Sequence, residues 1–193
     1  MSPRALIVYG TSYGQTARVV AGINNELARL GVDVTVARGD ALPSPLGLAD
    51  YDIVLVGASL ITGGYQKYIG AFVRNHATEL NAKPSVFFAV SGSAGSANEK
   101  ERAEARRLAT EFCAKCGWRP AIIETIAGAI KFTKYNFFVR WMMKRVARKE
   151  GVSTDTSRDH EYTDWSQVAR FAERVAALAT PAPSPAQALA HSG

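Results

Sequence analysis

Apolar residues along this chain alternate between two patterns, one typical of buried strands and one typical of helices. Short apolar runs bounded by glycine, proline or polar residues predict five strands, at residues 5–9, 32–37, 53–56, 85–90 and 121–126. Longer stretches with apolar residues at helical spacing predict five helices, at residues 14–30, 66–80, 98–116, 133–149 and 164–178. Leu30 and Leu178 are expected on the inward faces of the first and last of these helices.

The order of these elements predicts the fold class. Strands that alternate with helices are joined by right-handed crossovers, which give a parallel sheet covered on both faces. Five strands in this pattern favour an α/β fold with a doubly wound five-stranded parallel sheet in the order 2-1-3-4-5. The connection between the fifth strand and the last helix is too long to be simple, so residues 131–160 are expected to form a helical insertion.

Composition limits the class of protein. The 193 residues, 47% of them apolar, suit one domain with an adequate core, and we assign it residues 1–179. Residues 180–193 contain no Lys, Arg, Asp or Glu and are expected to form a disordered tail. No apolar run approaches the length of a membrane-spanning helix, and the N-terminus lacks a signal-peptide pattern. We therefore expect a cytoplasmic protein.

Cys113 and Cys116 are the only cysteines, and they form a Cys-x-x-Cys pair. A redox motif of that spacing opens a helix, whereas this pair falls at the end of a helical stretch. Two thiols also supply only half of a structural zinc site. We interpret them as two ordinary thiols and expect no bound metal.

The net charge of +6 is concentrated in one segment. Residues 131–149 carry seven basic and no acidic residues, and the 16 basic residues elsewhere balance the 17 acidic ones. Such local charge indicates an anionic partner at one place on the surface.

The same segment is amphipathic and rich in aromatic residues. It fits a core-packing helix with a solvated basic face, a helix on an anionic membrane surface, or the wall of a site for a flat, anionic substrate. Nucleic acid is not expected, because the aromatic residues share the apolar stripe. The candidate substrate or membrane contacts are Lys131, Phe132, Tyr135, Phe138, Arg140, Trp141, Lys144 and Arg145.

A polar loop joins the first strand to the first helix and predicts a phosphate site. Exposed N–H groups at a helix start attract an anion, and hydroxyl groups there can donate to phosphate oxygens. The loop lacks the second glycine of a dinucleotide fingerprint and the lysine of a Walker A motif. An ordinary strand-to-helix turn remains the alternative. The candidate residues of this phosphate loop (residues 11–16) are Thr11, Ser12, Tyr13, Gly14, Gln15 and Thr16.

This loop resembles the flavodoxin signature T/S-x-T-G-x-T, with Tyr13 in place of the usual threonine. The resemblance implies bound FMN, whose ring lies over the loops that follow strands three and four. Tyr65, directly after the first of these loops, either stacks on the ring or begins the next helix. The third-strand loop offers Ser59, Leu60, Ile61, Thr62, Gly63 and Gly64, and the fourth-strand loop offers Ser91, Gly92, Ser93 and Gly95.

Short matches in a shared order narrow the resemblance further. The motifs Gly57-Ala58-Ser59, Asn75-His76-Ala77-Thr78 and Tyr162-Thr163-Asp164-Trp165 resemble the bacterial menaquinone-dependent protoporphyrinogen IX dehydrogenases, flavodoxin-like oxidases of haem synthesis. The resemblance implies FMN-dependent oxidation of protoporphyrinogen IX, with electrons passed to a membrane quinone. It also implies peripheral association with an anionic membrane surface, on the inner face of the cell membrane. Whether the protein forms a homodimer is left open at this point.

The sequence identifies no catalytic acid or base. His76 and His160 can be considered as proton carriers, but a lone histidine in a helix or loop is more often structural. Thr163 is expected to cap the last helix, and Trp165 to anchor it by packing. The alternative functions are an electron-carrier flavodoxin, which the basic charge disfavours, a flavodoxin-like NAD(P)H:quinone reductase, and a flavin-free interaction domain.

Overall fold

The computed structural model describes residues 2–130 and 160–180. Its strands are β1 (Arg4–Tyr9), β2 (Asp33–Arg38), β3 (Ile53–Ser59), β4 (Ser85–Ser91), β5 (Ile122–Ala127), β6 (Ala129–Ile130) and β7 (His160–Glu161). Its α-helices are α1 (Gln15–Arg29), α2 (Lys67–Asn75), α3 (Ala77–Ala82), α4 (Glu99–Lys115) and α5 (Trp165–Ala179). Short 3₁₀ turns lie at Leu48–Asp50 and Ser93–Gly95.

Five strands form one parallel sheet in the order β2-β1-β3-β4-β5, which confirms the predicted doubly wound topology. The two central strands β3 and β4 are buried almost throughout, as expected for strands covered on both faces. One core contains Ile23 of α1 and Phe171 of α5, while the other contains Phe72 of α2 and Trp118 after α4. Helices α1 and α5 therefore cover one face of the sheet, and α2 to α4 cover the other.

The helices differ from the prediction in two respects. The segment predicted as one helix over 66–80 is divided at His76 into α2 and α3. The expectation for Leu30 and Leu178 was wrong, because their exposed fractions are 38% and 36%. Leu30 is the C-cap residue just beyond the last turn of α1, and Leu178 lies beside the buried stripe of α5 that ends at Ala179. Trp165 does pack, since a Cβ placed on Gly22 of α1 would stand 2.7 Å from its ring, but 43% of its surface is exposed.

The two ends of the insertion meet beside the main sheet. Strand β6 pairs antiparallel with β7, so the chain leaves and re-enters the domain at one place. The sequence did not predict this ladder, because neither strand exceeds two residues. The helix predicted over 133–149 lies outside the described residues, as does the tail beyond Thr180. Within 2–130 and 160–180, no helix is long and apolar enough to cross a membrane.

Candidate cofactor site

The phosphate loop begins where β1 ends and closes with a left-handed residue. The Gly10 N–H donates to the Gly57 carbonyl at 2.8 Å, which carries the β1–β3 pairing one residue beyond the strand. Gly14 caps α1 with φ of +84°, a conformation that glycine adopts without steric cost. Its N–H donates to Thr11 Oγ1 at 2.9 Å. Because Thr11 Oγ1 accepts this bond, its own hydrogen stays available for an anion.

Thr16 lies in the first turn of α1 with only 1% of its surface exposed. Its Oγ1 is buried and has no hydrogen-bond partner among the described residues. A buried hydroxyl without a hydrogen-bond partner lowers the stability of the folded protein by about 1–3 kcal/mol. Such a group therefore indicates that a ligand supplies the partner. The N-terminus of α1 attracts an anion at the same place. A phosphate monoester therefore fits this loop, where Thr11, Ser12 and Thr16 could donate their hydroxyl hydrogens to it.

Gln15 has a structural contact that the sequence did not reveal. Its buried side chain donates from Nε2 to Thr163 Oγ1 at 2.9 Å, and Thr163 in turn donates to the Ala127 carbonyl at 2.8 Å. The sequence predicted Thr163 as the N-cap of α5, and this prediction was wrong. Asp164 caps that helix, because its carboxylate accepts from the N–H groups of Ser166 and Gln167.

The third-strand loop forms a tight hairpin. Ile61 and Gly64 exchange two backbone hydrogen bonds of 3.0 Å. The central residues Thr62 and Gly63 have φ of +48° and +79°, which is the pattern of a type I′ turn. Nothing lies within 4 Å of a Cβ placed on Gly63, so the turn presents open backbone. This arrangement suits the edge of a flat ring.

Gln66, which the sequence analysis missed, connects this hairpin to the phosphate loop. Its Oε1 accepts from the Ser59 N–H at 3.2 Å, and its Nε2 donates to the hydroxyls of Ser59 and Ser12, the latter at 3.0 Å. No sequence signal marked Gln66, because its three contacts depend on the approach of two separate loops. The residue directly before it, Tyr65, packs against Phe87 and Phe112 in the core. Tyr65 is therefore not placed to stack on a bound ring.

The fourth-strand loop is closely tied to the base of the insertion. Ser91 Oγ accepts from the Ala94 N–H at 3.1 Å, which closes the loop on itself. The Ser91 carbonyl accepts from the Gly128 N–H at 2.9 Å, and the Gly128 carbonyl accepts from the Tyr162 N–H at 3.1 Å. The chain therefore enters and leaves the insertion beside this loop.

These three loops share the carboxyl edge of adjacent strands β1, β3 and β4, where open α/β sheets bind their ligands. Of the residues predicted from sequence, the structure brings together the cofactor candidates of the phosphate, third-strand and fourth-strand loops. The predicted substrate or membrane contacts between Lys131 and Arg145 lie outside the described residues.

His76 and Cys113 lie away from this edge, whereas His160 belongs to β7, beside the fourth-strand loop. His76 contacts Glu79 at 2.9 Å, at the C-terminal end of α2, which points toward the opposite edge of the sheet. Burial raises the pKa of the Cys113 thiol to about 12, so it is not a nucleophilic thiolate at neutral pH. Over residues 2–130 and 160–180 no cluster of three histidine, cysteine or acidic residues could hold a metal ion.

Comparison with known proteins agrees with this geometry. A family model described as a flavodoxin domain matches residues 6–157. The chain therefore belongs to the flavodoxin family, and this membership indicates FMN as its cofactor. A flavodoxin from the domain Archaea aligns with a TM-score of 0.53 at 17% identity, over 91% of this chain and 98% of that one. Oxidised flavodoxin 1 from Bacillus cereus aligns with a TM-score of 0.53 at 12% identity, over 89% and 96%. At these identities the two structures support the fold alone.

Two curated relatives are more similar in sequence. A protein of Escherichia coli strain K12 named protoporphyrinogen IX dehydrogenase (quinone) is 36% identical over 175 residues, which cover 91% of this chain and 96% of that protein. A Leishmania major protein of the same name is 35% identical over 181 residues, which cover 92% of this chain and 76% of that protein.

Proposed function

We propose that this protein oxidises protoporphyrinogen IX to protoporphyrin IX in haem biosynthesis, with FMN as cofactor and a membrane quinone as electron acceptor. The observation that carries this proposal is the near full-length match to the E. coli dehydrogenase. The aligned region covers 91% of this chain, and the family model matches residues 6–157. The matched region therefore spans the basic aromatic insertion as well as the flavodoxin-like sheet.

When bound, FMN supplies the redox chemistry, in which repeated removal of a hydride and a proton converts the macrocycle to the aromatic porphyrin. The protein contributes binding and orientation. We assign the phosphate to Thr11, Ser12, Thr16 and the backbone of Tyr13 to Gln15, and the ring to the third-strand and fourth-strand loops. The open backbone at Gly63 and the unsatisfied Thr16 hydroxyl support these assignments.

The substrate and membrane contacts are assigned to residues 131–160. The pairing of β6 with β7 supports this choice, because it starts and ends the insertion beside the fourth-strand loop. Lys131, Arg140, Lys144 and Arg145 would pair with propionates or lipid phosphates. Phe132, Tyr135, Phe138 and Trp141 would contact the macrocycle or the acyl region.

This arrangement defines where the protein would act. A flavodoxin-like domain of residues 1–179 would bind peripherally to the cytoplasmic face of the cell membrane, through an anionic lipid surface. There it would reach both an apolar macrocycle and a quinone. Nucleic acid has no part in the proposal.

Anaerobic mixing of the FMN-loaded protein with protoporphyrinogen IX tests the proposal directly. We expect the flavin absorbance near its visible maximum to bleach, porphyrin fluorescence to appear, and added quinone to restore the flavin colour. Bleaching by NAD(P)H but not by the porphyrinogen would contradict the proposal and favour a quinone reductase. Bleaching by neither would favour an electron carrier, and failure to bind FMN would exclude a flavoprotein function.

A further inference from the structure

We infer that Gln66 is a positioning residue that fixes the polarity of two serine hydroxyls and thereby sets the preference of the site for a phosphorylated flavin. This inference deepens the proposed function and rests on it. The three contacts of the Gln66 side chain, to Ser12 and twice to Ser59, carry the argument.

Its hydrogen-bond partners fix the orientation of the Gln66 amide. The Ser59 N–H can only donate, so the atom that faces it at 3.2 Å must be the acceptor Oε1. The other end is therefore Nε2, which can only donate. The Ser12 and Ser59 hydroxyl oxygens that face Nε2 must both accept.

The same contacts determine which acceptors the two serine hydroxyl hydrogens can reach. A hydroxyl that accepts from Gln66 keeps its own hydrogen for another acceptor. Ser12 lies in the phosphate loop, where that acceptor would be a phosphate oxygen, and a charged acceptor strengthens the bond. Ser59 is the last residue of β3, directly before the third-strand loop. Because both hydroxyls accept from Gln66, both keep their hydrogens for acceptors other than Gln66.

Gln66 itself is held in place by its neighbours. It directly precedes α2, and its amide lies against the end of β1, since a Cβ placed on Gly10 would stand 2.8 Å from Oε1. The backbone of α2 accordingly holds the side chain between the first and third strands. Gln66 links the loop that binds the phosphate to the loop that meets the ring.

The variant Gln66→Glu keeps the shape of the side chain and reverses its polarity. A carboxylate can only accept, so both serine hydroxyls must donate to it and lose their hydrogens for the cofactor. We expect FMN affinity to fall by roughly tenfold or more. Riboflavin, which has no phosphate, should bind with an affinity changed less than roughly threefold. The measured quantity is the ratio of the riboflavin and FMN dissociation constants by fluorescence titration.

The new negative charge would itself repel a phosphate, so a double-mutant cycle separates the two causes. If Gln66 acts through Ser12, the effect of Gln66→Glu on FMN affinity shrinks severalfold in a Ser12→Ala background. An effect of equal size in both backgrounds would overturn the inference in favour of plain charge repulsion. Should Gln66→Glu fail to fold, Gln66→Met supplies the same cycle without adding a charge.

Asn81→Asp is the matched control. Like the Gln66 amide, the Asn81 amide both donates and accepts, but its partners are the Gly117 carbonyl and the Arg119 N–H, away from the three loops. The Asn81→Asp variant should leave the ratio of the riboflavin and FMN dissociation constants unchanged. A ratio unchanged in Gln66→Glu as well would overturn this inference alone, while porphyrinogen oxidation by the wild type would still support the proposed function. A wild type that binds no FMN would overturn both.

Discussion

Gln15 Nε2 donates a hydrogen bond of 2.9 Å to Thr163 Oγ1, although 148 residues separate the two in the chain. Thr163 Oγ1 in turn donates a hydrogen bond to the Ala127 carbonyl at the end of β5. This pair joins the first turn of α1, where a phosphate would bind, to the residues that follow the insertion. The Thr163 hydroxyl therefore connects the phosphate loop to the residues on either side of the insertion.

The variant Thr163→Val tests this connection, because it keeps the shape of the side chain and removes both hydrogen bonds. We expect the free energy of unfolding to fall by about 1–3 kcal/mol, since partly buried polar partners lose their bonds. Urea unfolding measures the change. Thr110→Val, which removes an exposed hydroxyl bonded within α4, should change stability by about 0.5 kcal/mol or less. Equal losses in the two variants would contradict the prediction.

Replacing both Thr11 and Thr16 by alanine should weaken FMN binding. The double variant removes the hydroxyl that holds Gly14 and the buried hydroxyl without a protein partner. Hydrogen bonds to a charged group contribute about 1.5–3 kcal/mol each, so the affinity should fall at least about tenfold. Riboflavin binding serves as the control and should change far less. Unchanged retention of FMN through gel filtration would refute the assignment of the phosphate loop.

Deleting residues 132–149 should separate cofactor binding from turnover. Strands β6 and β7 lie outside the deletion, so a short glycine-serine linker can rejoin them without disturbing the described sheet. We expect FMN to stay bound and quinone-coupled oxidation with membrane vesicles to be lost. Sedimentation with vesicles of anionic or neutral lipid measures how much residues 132–149 contribute to membrane binding. Normal quinone-coupled oxidation in the deletion variant would show that the segment is not needed.

The substitution Thr62→Asn should stabilise the protein. Thr62 is a β-branched residue at φ of +48°, which costs stability, whereas Asn followed by Gly is preferred in a type I′ turn. We expect the free energy of unfolding to rise by about 0.5–1 kcal/mol. Gly63→Ala should lower it, because alanine at a φ of +79° is strained although no atom blocks its Cβ. A loss of stability in Thr62→Asn would argue against this turn geometry.

Alkaline pH should destabilise the protein through Cys113. Burial raises the pKa of its thiol from 9.0 to about 12, so the folded state holds the proton more tightly than the unfolded state. The stabilisation that the protonated Cys113 thiol gives the folded state is complete below about pH 9. It is lost as pH rises from about 9 to 12, by up to about 1.4 kcal/mol per pH unit. Urea unfolding at pH 8 and pH 10 measures the loss, which should be smaller in Cys113→Ala. Equal losses would show that other groups cause the alkaline effect.

The sequence anticipated the helices and strands best where one physical pattern dominates. Strands β3 and β4 are buried on both faces, so their continuous apolar runs marked them clearly. The division between α2 and α3 at His76 did not show, because the apolar spacing continues across it. Capping was assigned to Thr163 rather than to its neighbour Asp164, since both residue types favour the start of a helix.

By itself, the sequence determined the doubly wound sheet, and it predicted that the phosphate loop, the third-strand loop and the fourth-strand loop form the cofactor site. Each depends on local periodicity, on glycine positions, or on the rule that the carboxyl ends of parallel strands share an edge. Only the tertiary structure decided how these loops are held together, as the contacts of Gln66 with Ser12 and Ser59 and of Gln15 with Thr163 show. Such contacts carry no local signal, because amide and hydroxyl groups find their partners only after the strands have brought distant segments to the same edge.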